Sequence, residues 1–539
     1  PVTDYDSLAY HLPSMAKWYQ QHAFVMLDQF YDGPIQISRY PYDWEALSAL
    51  FLLPFGEDVL VALPNLIAWF LFGLGIYVVA VRLGARAPAA LGFAFLALTT
   101  PIAREHVATM HVDLPLGAFF MAGLALALGP VRDPVVAALF AATMGMLAGT
   151  KTSGLVYVAC LAPVFAWTWL TVPRAGRAGS RGWRVIVLVV AAVLAGTLVG
   201  LFWYVRNFSE TGNPLGFVQV VVAGITVFAG PLDQKTIAST TLLTQFQLTN
   251  PAHWAIVLGQ FSKRLGLPFL FGLPVACALR SFARTGVRAI RRDHLVMVAS
   301  LIAATALAYA ATPVSARSWD LGPMTPWMGQ AIRYAFPFIG LLAVAGALAL
   351  SGTRVPDEVV VPAVVVAGLV RASSRMMLPA AGLLLLGSVV NRMTESRGKA
   401  TRALAVCFLG ALAVPGLHAL DATRDAARAR VYGGLPGFID CNVRSDEVIG
   451  YVLSHQSYLL YGSHFDRTVV YVPARGNDRS EWIAGLGTRG IRFLALGPLR
   501  PEWRHRKEVA WVGQADGAFT RVFGRDAATE PVLYRLDRR

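Results

Sequence analysis

The sequence predicts an α-helical polytopic membrane protein with a small C-terminal α/β domain. Three observations carry that expectation. The 539 residues are 55% hydrophobic and only 15% charged, and a mean hydropathy of +0.52 is too apolar for a soluble enzyme of this length. Long apolar segments recur from residue 59 to residue 420, separated by short basic clusters, and the character of the chain changes after residue 420.

Taken in order, segments able or nearly able to cross a hydrocarbon core of about 30 Å lie near 59–82, 87–103, 112–129, 134–149, 154–172, 185–204, 265–280, 294–312, 334–351, 358–371, 375–390 and 403–420. That is about twelve transmembrane helices. Arg174, Arg177, Arg181 and Arg184 occupy one intervening loop, Arg280, Arg284, Arg288, Arg291 and Arg292 a second, and Arg392, Arg397, Lys399 and Arg402 a third. Basic loops stay on the cytoplasmic side. With all three there, residues 1–58, 205–264, 313–333 and 421–539 face the opposite side, and one further helix is expected before Pro1. The expected domains are a first extracytoplasmic loop over 1–58 with amphipathic helices, a transmembrane domain over 59–420, and an extracytoplasmic α/β domain over 421–539. In the last of these, runs such as Thr468–Val472 and Phe493–Leu496 read as strands and Glu447–Ser454 as a helix.

The net charge of +15 does not mark a nucleic-acid partner, because the Lys and Arg residues punctuate apolar segments instead of covering one solvated face and no binding motif accompanies them. The four cysteines form no CxxC pair, so neither a disulfide framework nor a redox motif is indicated. P-loop, dinucleotide, GxSxG and HExxH signatures are absent from the sequence.

Candidate chemistry lies in the non-cytoplasmic loops. Asp4, Asp6, Tyr10 and His11 precede an amphipathic stretch; a carboxylate there serves either as a general base on an acceptor hydroxyl or as a helix cap. Glu105, His106, His111 and Asp113 gather at the external end of two crossings. They are suitable ligands for a divalent metal, though in no defined metal spacing, and Asp113 is a carboxylate at a membrane-helix terminus, where such groups are functional or paired. Lys151, Arg206 and Arg333 also sit at external helix ends, where they either snorkel to the interface or neutralise a phosphate. Trp203 and Tyr204 read as interfacial aromatics, and His455 and His464 as solvated histidines without partners.

The segments YDSLAYHLPSMAKW, RYPYDWEALSALFLLPFG, GTKTSG, WYVRNFSETGNPL and IRYAFPF, in that order, together with LLYGSHFDRTVVYVP near the end, resemble the GT-C-fold glycosyltransferases. The branch most resembled is the bacterial one related to protein O-mannosyltransferases and to the aminoarabinose transferase that modifies lipid A. The resemblance spans most of the chain and implies a catalytic Asp in the first external loop, within an Asp-Glu-x-x-Tyr pattern. Asp6 and Tyr10 match the Asp and the Tyr, Ser7 stands where the second acid would be, and Asp4 and Asp113 are the carboxylates available to stand in. It further implies a multi-pass protein of the bacterial inner membrane, a polyprenyl-phosphate sugar donor, for whose phosphate Lys151, Arg206 and Arg333 are the candidate partners named above, and a lipid, glycan or protein acceptor. A membrane transporter or lipid flippase is the alternative, which leaves the acidic first loop and the large external domain without a role.

Overall fold

A computed structural model describes residues 2–27, 37–54, 56–58, 60–171, 182–266, 292–313, 329–352, 430, 432–514 and 516–537, with only the backbone considered for 182–195, 197 and 292. The crossings expected at 358–371, 375–390 and 403–420, and all but the first two residues of 265–280, lie outside them, as do most of the three basic loops.

The chain begins with a π-helical turn, Ser7–His11, that runs into α1 (Leu12–Gln21), and α2 (Asp43–Ala49) follows. The helical body comprises α3 (Leu63–Arg82), α4 (Ala87–Leu98), α5 (Pro101–His106), α6 (Asp113–Ala127), α7 (Pro134–Thr150), α8 (Gly154–Thr171) and α9 (Gly182–Thr211). The segment expected as one crossing over 87–103 is broken between α4 and α5, because Pro101 cannot extend the ladder and the Thr100 hydroxyl caps the new helix by accepting from the Ala103 amide at 3.3 Å. Next come the hairpin strands β1 (Val220–Val222) and β2 (Ile225–Phe228), the short helices α10 (Gln234–Ser239) and α11 (Leu242–Gln245), then α12 (Pro251–Leu265), α13 (Arg292–Ala311) and α14 (Phe336–Ser351). Among the described residues four helices are long and apolar enough to cross a membrane, Leu63–Arg82, Gly154–Thr171, Asp293–Ala311 and Gly329–Ser351, and three shorter ones are also apolar, Ala87–Leu98, Asp113–Ala127 and Pro134–Thr150.

Small residues set a close helix contact. A Cβ on Gly145 would stand 2.1 Å from the Gly196 carbonyl oxygen, and one on Gly200 would stand 2.6 Å from that of Gly145. Helices α7 and α9 therefore meet backbone to backbone, as lipid-embedded helices do where dispersion replaces the hydrophobic drive. Trp203 and Tyr204, on α9, are buried instead of lying in an aromatic belt: Trp203 Nε1 donates to Asp43 Oδ1 at 2.6 Å and the Tyr204 hydroxyl donates to the Ala148 carbonyl at 2.8 Å.

The C-terminal residues carry α15 (Leu435–Asn442), β3 (Val448–Val452), β4 (Thr468–Tyr471), α16 (Arg479–Thr488), β5 (Ile491–Leu496), α17 (Lys507–Val512), β6 (Phe519–Phe523) and β7 (Val532–Leu536). The sheet order is β4-β3-β5-β7-β6, with β3, β4 and β5 parallel and β7 antiparallel to β5 and β6. The stretch 447–454 thus holds the strand Val448–Val452 rather than the expected helix. Val448, Ile449, Tyr451 and Val452 favour extended backbone, and a central strand covered on both faces lacks the alternation that would have marked it. Phe493 and Ala495 point to the same side as Ile449 and pack with Leu8, Leu12 and Met15 of the first segment, while Leu494 and Leu496 face Trp482 and Leu486 of α16. One face of the sheet thereby rests on the first segment. Gln20 Nε2 fastens it, donating to the carbonyls of Phe465 at 2.6 Å and Arg467 at 2.7 Å, as does the Tyr458 hydroxyl, which donates to Asp58 Oδ2 at 2.7 Å.

Candidate active site

The turn that opens the chain is shaped by its own side chains. Asp4 Oδ1 accepts from the Ser7 amide at 2.9 Å and from the Ser7 hydroxyl at 2.7 Å, a local cap on a helical turn. The same hydroxyl oxygen accepts from the Met110 amide at 2.9 Å. Ser7, which stands where the resemblance puts a second acid, here joins the first segment to the loop ahead of α6. That loop is held from below by Asn65 on α3, whose Nδ2 donates to the carbonyls of His106 at 2.9 Å, Thr109 at 2.7 Å and His111 at 3.1 Å, while its Oδ1 accepts from Trp44 Nε1 at 2.7 Å. Sequence reasoning passed over Asn65; the signal was a polar residue inside an apolar helix.

On this frame three carboxylates and three cations alternate. His111 Nε2 lies 3.0 Å from Asp4 Oδ1 and 3.5 Å from Asp6 Oδ2. Arg333 Nη2 donates to Asp6 Oδ2 at 2.6 Å, and its Nε lies 3.1 Å from Asp113 Oδ2. Lys151 Nζ donates to Asp113 Oδ1 at 2.6 Å and sits 3.9 Å from the centroid of the Tyr334 ring. The order is Asp4, His111, Asp6, Arg333, Asp113, Lys151. Arg333 Nη1 also comes within 2.8 Å of His111 Nε2. With carboxylates on two sides the proton belongs on Nε2, so this is a close approach of two donors, offset by the acids around them.

The ionisation states follow. Burial pushes the Asp4 carboxyl up, but His111 and the Ser7 donors outweigh it and bring it to about 2. Asp6 is pushed up by burial too, yet Arg333 beside it, then His111 and His11, hold it well below the usual carboxylate range. Burial and Arg333 lower His111, and its two carboxylate partners reverse the sign, raising it above its ordinary value. Tyr10 stays a neutral phenol because burial and the Asp6 charge raise it.

The arrangement gathers Asp4, Asp6, His111, Asp113, Lys151 and Arg333, with Tyr10 beside them. Arg206 makes its contacts elsewhere: Nη2 donates to the Ser38 carbonyl at 2.7 Å and the guanidinium lies 4.8 Å from the Trp203 ring. Among the described residues no group of three or more His, Cys, Asp or Glu side chains is placed to hold an ion. Glu105 instead takes both oxygens to Arg264 Nη1, at 2.9 and 2.7 Å. His106 pairs Nδ1 with the Ile102 carbonyl at 2.7 Å, and its burial lowers the imidazole to about 3, so it is neutral. His111 and Asp113 are committed to the ion-pair chain. Two further buried polar groups lie nearby. His11 Nδ1 is 2.6 Å from Glu45 Oε1, and Asp43 is raised to about 7, by burial first and then by Glu45, against the Trp203 donor. His455 and His464 are not solitary either: His455 stacks on Tyr5 at 4.9 Å and His464 Nδ1 is 3.5 Å from Glu57 Oε1.

No protein-family model and no curated protein sequence matches the chain. Solved structures do. ArnT from Cupriavidus metallidurans bound to undecaprenyl phosphate superposes with a TM-score of 0.53 at 15% identity, over 99% of this chain and 94% of that one. The same protein in the apo state gives 0.54 at 15% identity, over 99% and 93%. The Archaeoglobus fulgidus oligosaccharyltransferase in complex with Zn and sulfate matches at 0.39 and 14% identity, over 96% of this chain and 66% of that one, a score that carries no argument. The resemblance read from the motifs therefore holds at the level of architecture: along nearly its whole length this chain has the fold of the ArnT structures.

Proposed function

We propose that the protein is an integral membrane glycosyltransferase that moves a sugar from a polyprenyl-phosphate carrier to a lipid, glycan or protein acceptor of the cell envelope, with inversion, on the non-cytoplasmic face of the inner membrane. The observation that supports this reading is the alternating chain of acids and cations, in which Asp6 joins one partly buried group with Arg333, Lys151 and Asp113. In this reading Asp6 is the general base. It takes the proton of the acceptor hydroxyl as that oxygen bonds to the anomeric carbon and the bond from that carbon to the carrier phosphate breaks. The polyprenyl phosphate leaves with the electron pair, and a single displacement inverts the configuration.

Arg333 explains how a carboxylate held so acidic becomes basic. A donor phosphate beside Arg333 and Lys151 competes with Asp6 for the guanidinium, and what Asp6 loses in pairing it gains in basicity. Lys151 and Arg333 then face the charge that develops on the leaving phosphate. Arg206, next to the Ser38 carbonyl, is assigned to the carrier farther from the reacting bond. The first segment and the sheet built from residues 435–536 are taken to cover the site from outside, as an extracytoplasmic domain spanning 421–539. A transporter or flippase would use the same cations but needs no acid turn clamped by a folded domain.

The test is transfer from a panel of radiolabelled polyprenyl-phosphate sugars into envelope fractions by the intact protein. Label appearing in an acceptor supports the assignment. No transfer with any donor, together with an altered distribution of carrier lipid across the bilayer, would replace it with the flippase reading.

A further inference from the structure

The carboxylate turn is gripped from two sides, and only one has been described. Inside, Asp4 and Asp6 meet His111 and Arg333. Outside, between those two acids, Tyr5 turns its ring towards the C-terminal sheet. The Arg500 guanidinium carbon lies 4.4 Å from the Tyr5 ring centroid and 5.1 Å from the Trp503 ring. His455 stacks on Tyr5 with centroids 4.9 Å apart and planes inclined by 28°. His455 follows β3, and Arg500 and Trp503 follow β5, so the loops after two adjacent parallel strands converge on one residue of the first segment.

The stack is built for a cation between rings. Burial, then Arg500, lowers His455 to about 4, which leaves its ring neutral and compatible with a neighbouring guanidinium. The Arg500 carboxylate contact, Glu502 at 3.8 Å, is long, and Arg500 meets Tyr5 through both its ring and its hydroxyl. The clasp is also separate from the docking of the sheet, which has its own fastenings at Gln20 and Tyr458. Loss of Arg500 would leave those in place, along with the Tyr432 hydroxyl on the Val2 carbonyl, and would remove the cation from the outer side of the turn alone. The inner side would then follow the strongest remaining pull, that of Arg333 on Asp6.

We propose that Arg500, acting through Tyr5, is a positioning residue that holds the Asp6 carboxylate at its reacting distance from the acceptor. The inference rests on the proposed role of Asp6 and adds to it a requirement for the C-terminal sheet in the chemical step. A base displaced by about 1 Å loses up to a hundredfold in rate, so truncation is expected to lower kcat without weakening donor binding.

The experiment has two readouts on the full chain in proteoliposomes. Hydrogen exchange over residues 2–11 is expected to rise several-fold in Arg500→Ala and Tyr5→Ala, to rise less in Tyr5→Phe, which keeps the ring and loses the hydroxyl contact, and to be unchanged at 465–467. With the undecaprenyl-phosphate sugar that the intact chain transfers best, Arg500→Ala is expected to lower kcat about tenfold with donor KM within about twofold. Arg500→Ala in the Tyr5→Ala background should add nothing further, because the two act in series. Unchanged exchange at 2–11, unchanged kcat in Arg500→Ala, or losses that multiply in the double variant would each overturn the proposal. An intact protein that transfers nothing, or an Asp6→Asn variant that still transfers, instead overturns the role of Asp6, and the exchange data then decide whether the clasp orders the turn.

Discussion

Replacing Arg333 by methionine removes the centre of the ion-pair chain and keeps its bulk. Arg333 holds Asp6 at 2.6 Å and Asp113 at 3.1 Å, and the side chains are 15%, 19% and 3% exposed in that order. After the change Asp113 keeps Lys151 at 2.6 Å, whereas among the described residues Asp6 keeps His111 at 3.5 Å as its nearest charged partner. Breaking a buried pair on one side costs about 3–5 kcal/mol, and the residual exposure puts this one near 3 kcal/mol. At roughly 2 cal/mol/K per residue, a chain of 539 residues has an unfolding entropy of about 1.1 kcal/mol/K, so the midpoint in detergent should fall by about 3 °C. Adding Asp6→Asn removes the stranded charge, and the double variant should recover a good part of that loss while remaining inactive. The assay is thermal unfolding of the purified protein in detergent by intrinsic fluorescence. An unchanged midpoint in Arg333→Met, or a double variant whose loss is the sum of the two single losses, would refute the reasoning.

Three further outcomes follow from named contacts. Lys151→Ala removes the Nζ that faces Asp113 and is expected to raise the donor KM by about tenfold, about 1.4 kcal/mol of binding, measured by transfer kinetics over a range of donor concentrations. Asp43, raised to about 7 in the folded protein, favours its neutral form there; its contribution is complete below about pH 4 and is lost as pH rises through about 7. Asp43→Asn should therefore flatten the decline of the thermal midpoint across that window, which a pH series of melts would show. Gly145→Leu places a side chain where a Cβ already meets the Gly196 carbonyl oxygen at 2.1 Å; the expected result is loss of folded protein, read as aggregation on size-exclusion chromatography, with Gly437→Ala, which meets no neighbour, as the tolerated control.

How far the sequence reaches differs between fold and site. The apolar helices were legible because a run such as Leu63–Arg82 is uniform in character, and Asp6, Asp113, Lys151 and Arg333 because charged residues at membrane-helix ends are conspicuous. Their partnership was not legible. Asp6 and Arg333 are 327 positions apart, and neither spacing nor composition says that the cation expected to hold a phosphate already holds the base. His111 was read as a metal ligand for the same reason: its residue type suits an ion, and only geometry shows it committed to Asp4 and Asp6. Val220–Phe228, an apolar run between polar stretches, gives no sequence sign of its pairing; it is a hairpin turned at Ala223 and Gly224, both with positive φ. Ser7 is a departure from the family pattern that turns out to be a connector, a role written only in its contacts with Asp4 and Met110.

The central claim is that Asp6 is the base of a lipid-phosphate sugar transfer. It is tested most directly by single-turnover transfer from a polyprenyl-phosphate sugar in proteoliposomes, comparing the intact protein with Asp6→Asn at matched folded concentration. The account predicts a loss of roughly a hundredfold or more in the transfer rate with donor binding retained. An Asp6→Asn variant that transfers at the rate of the intact protein would contradict it.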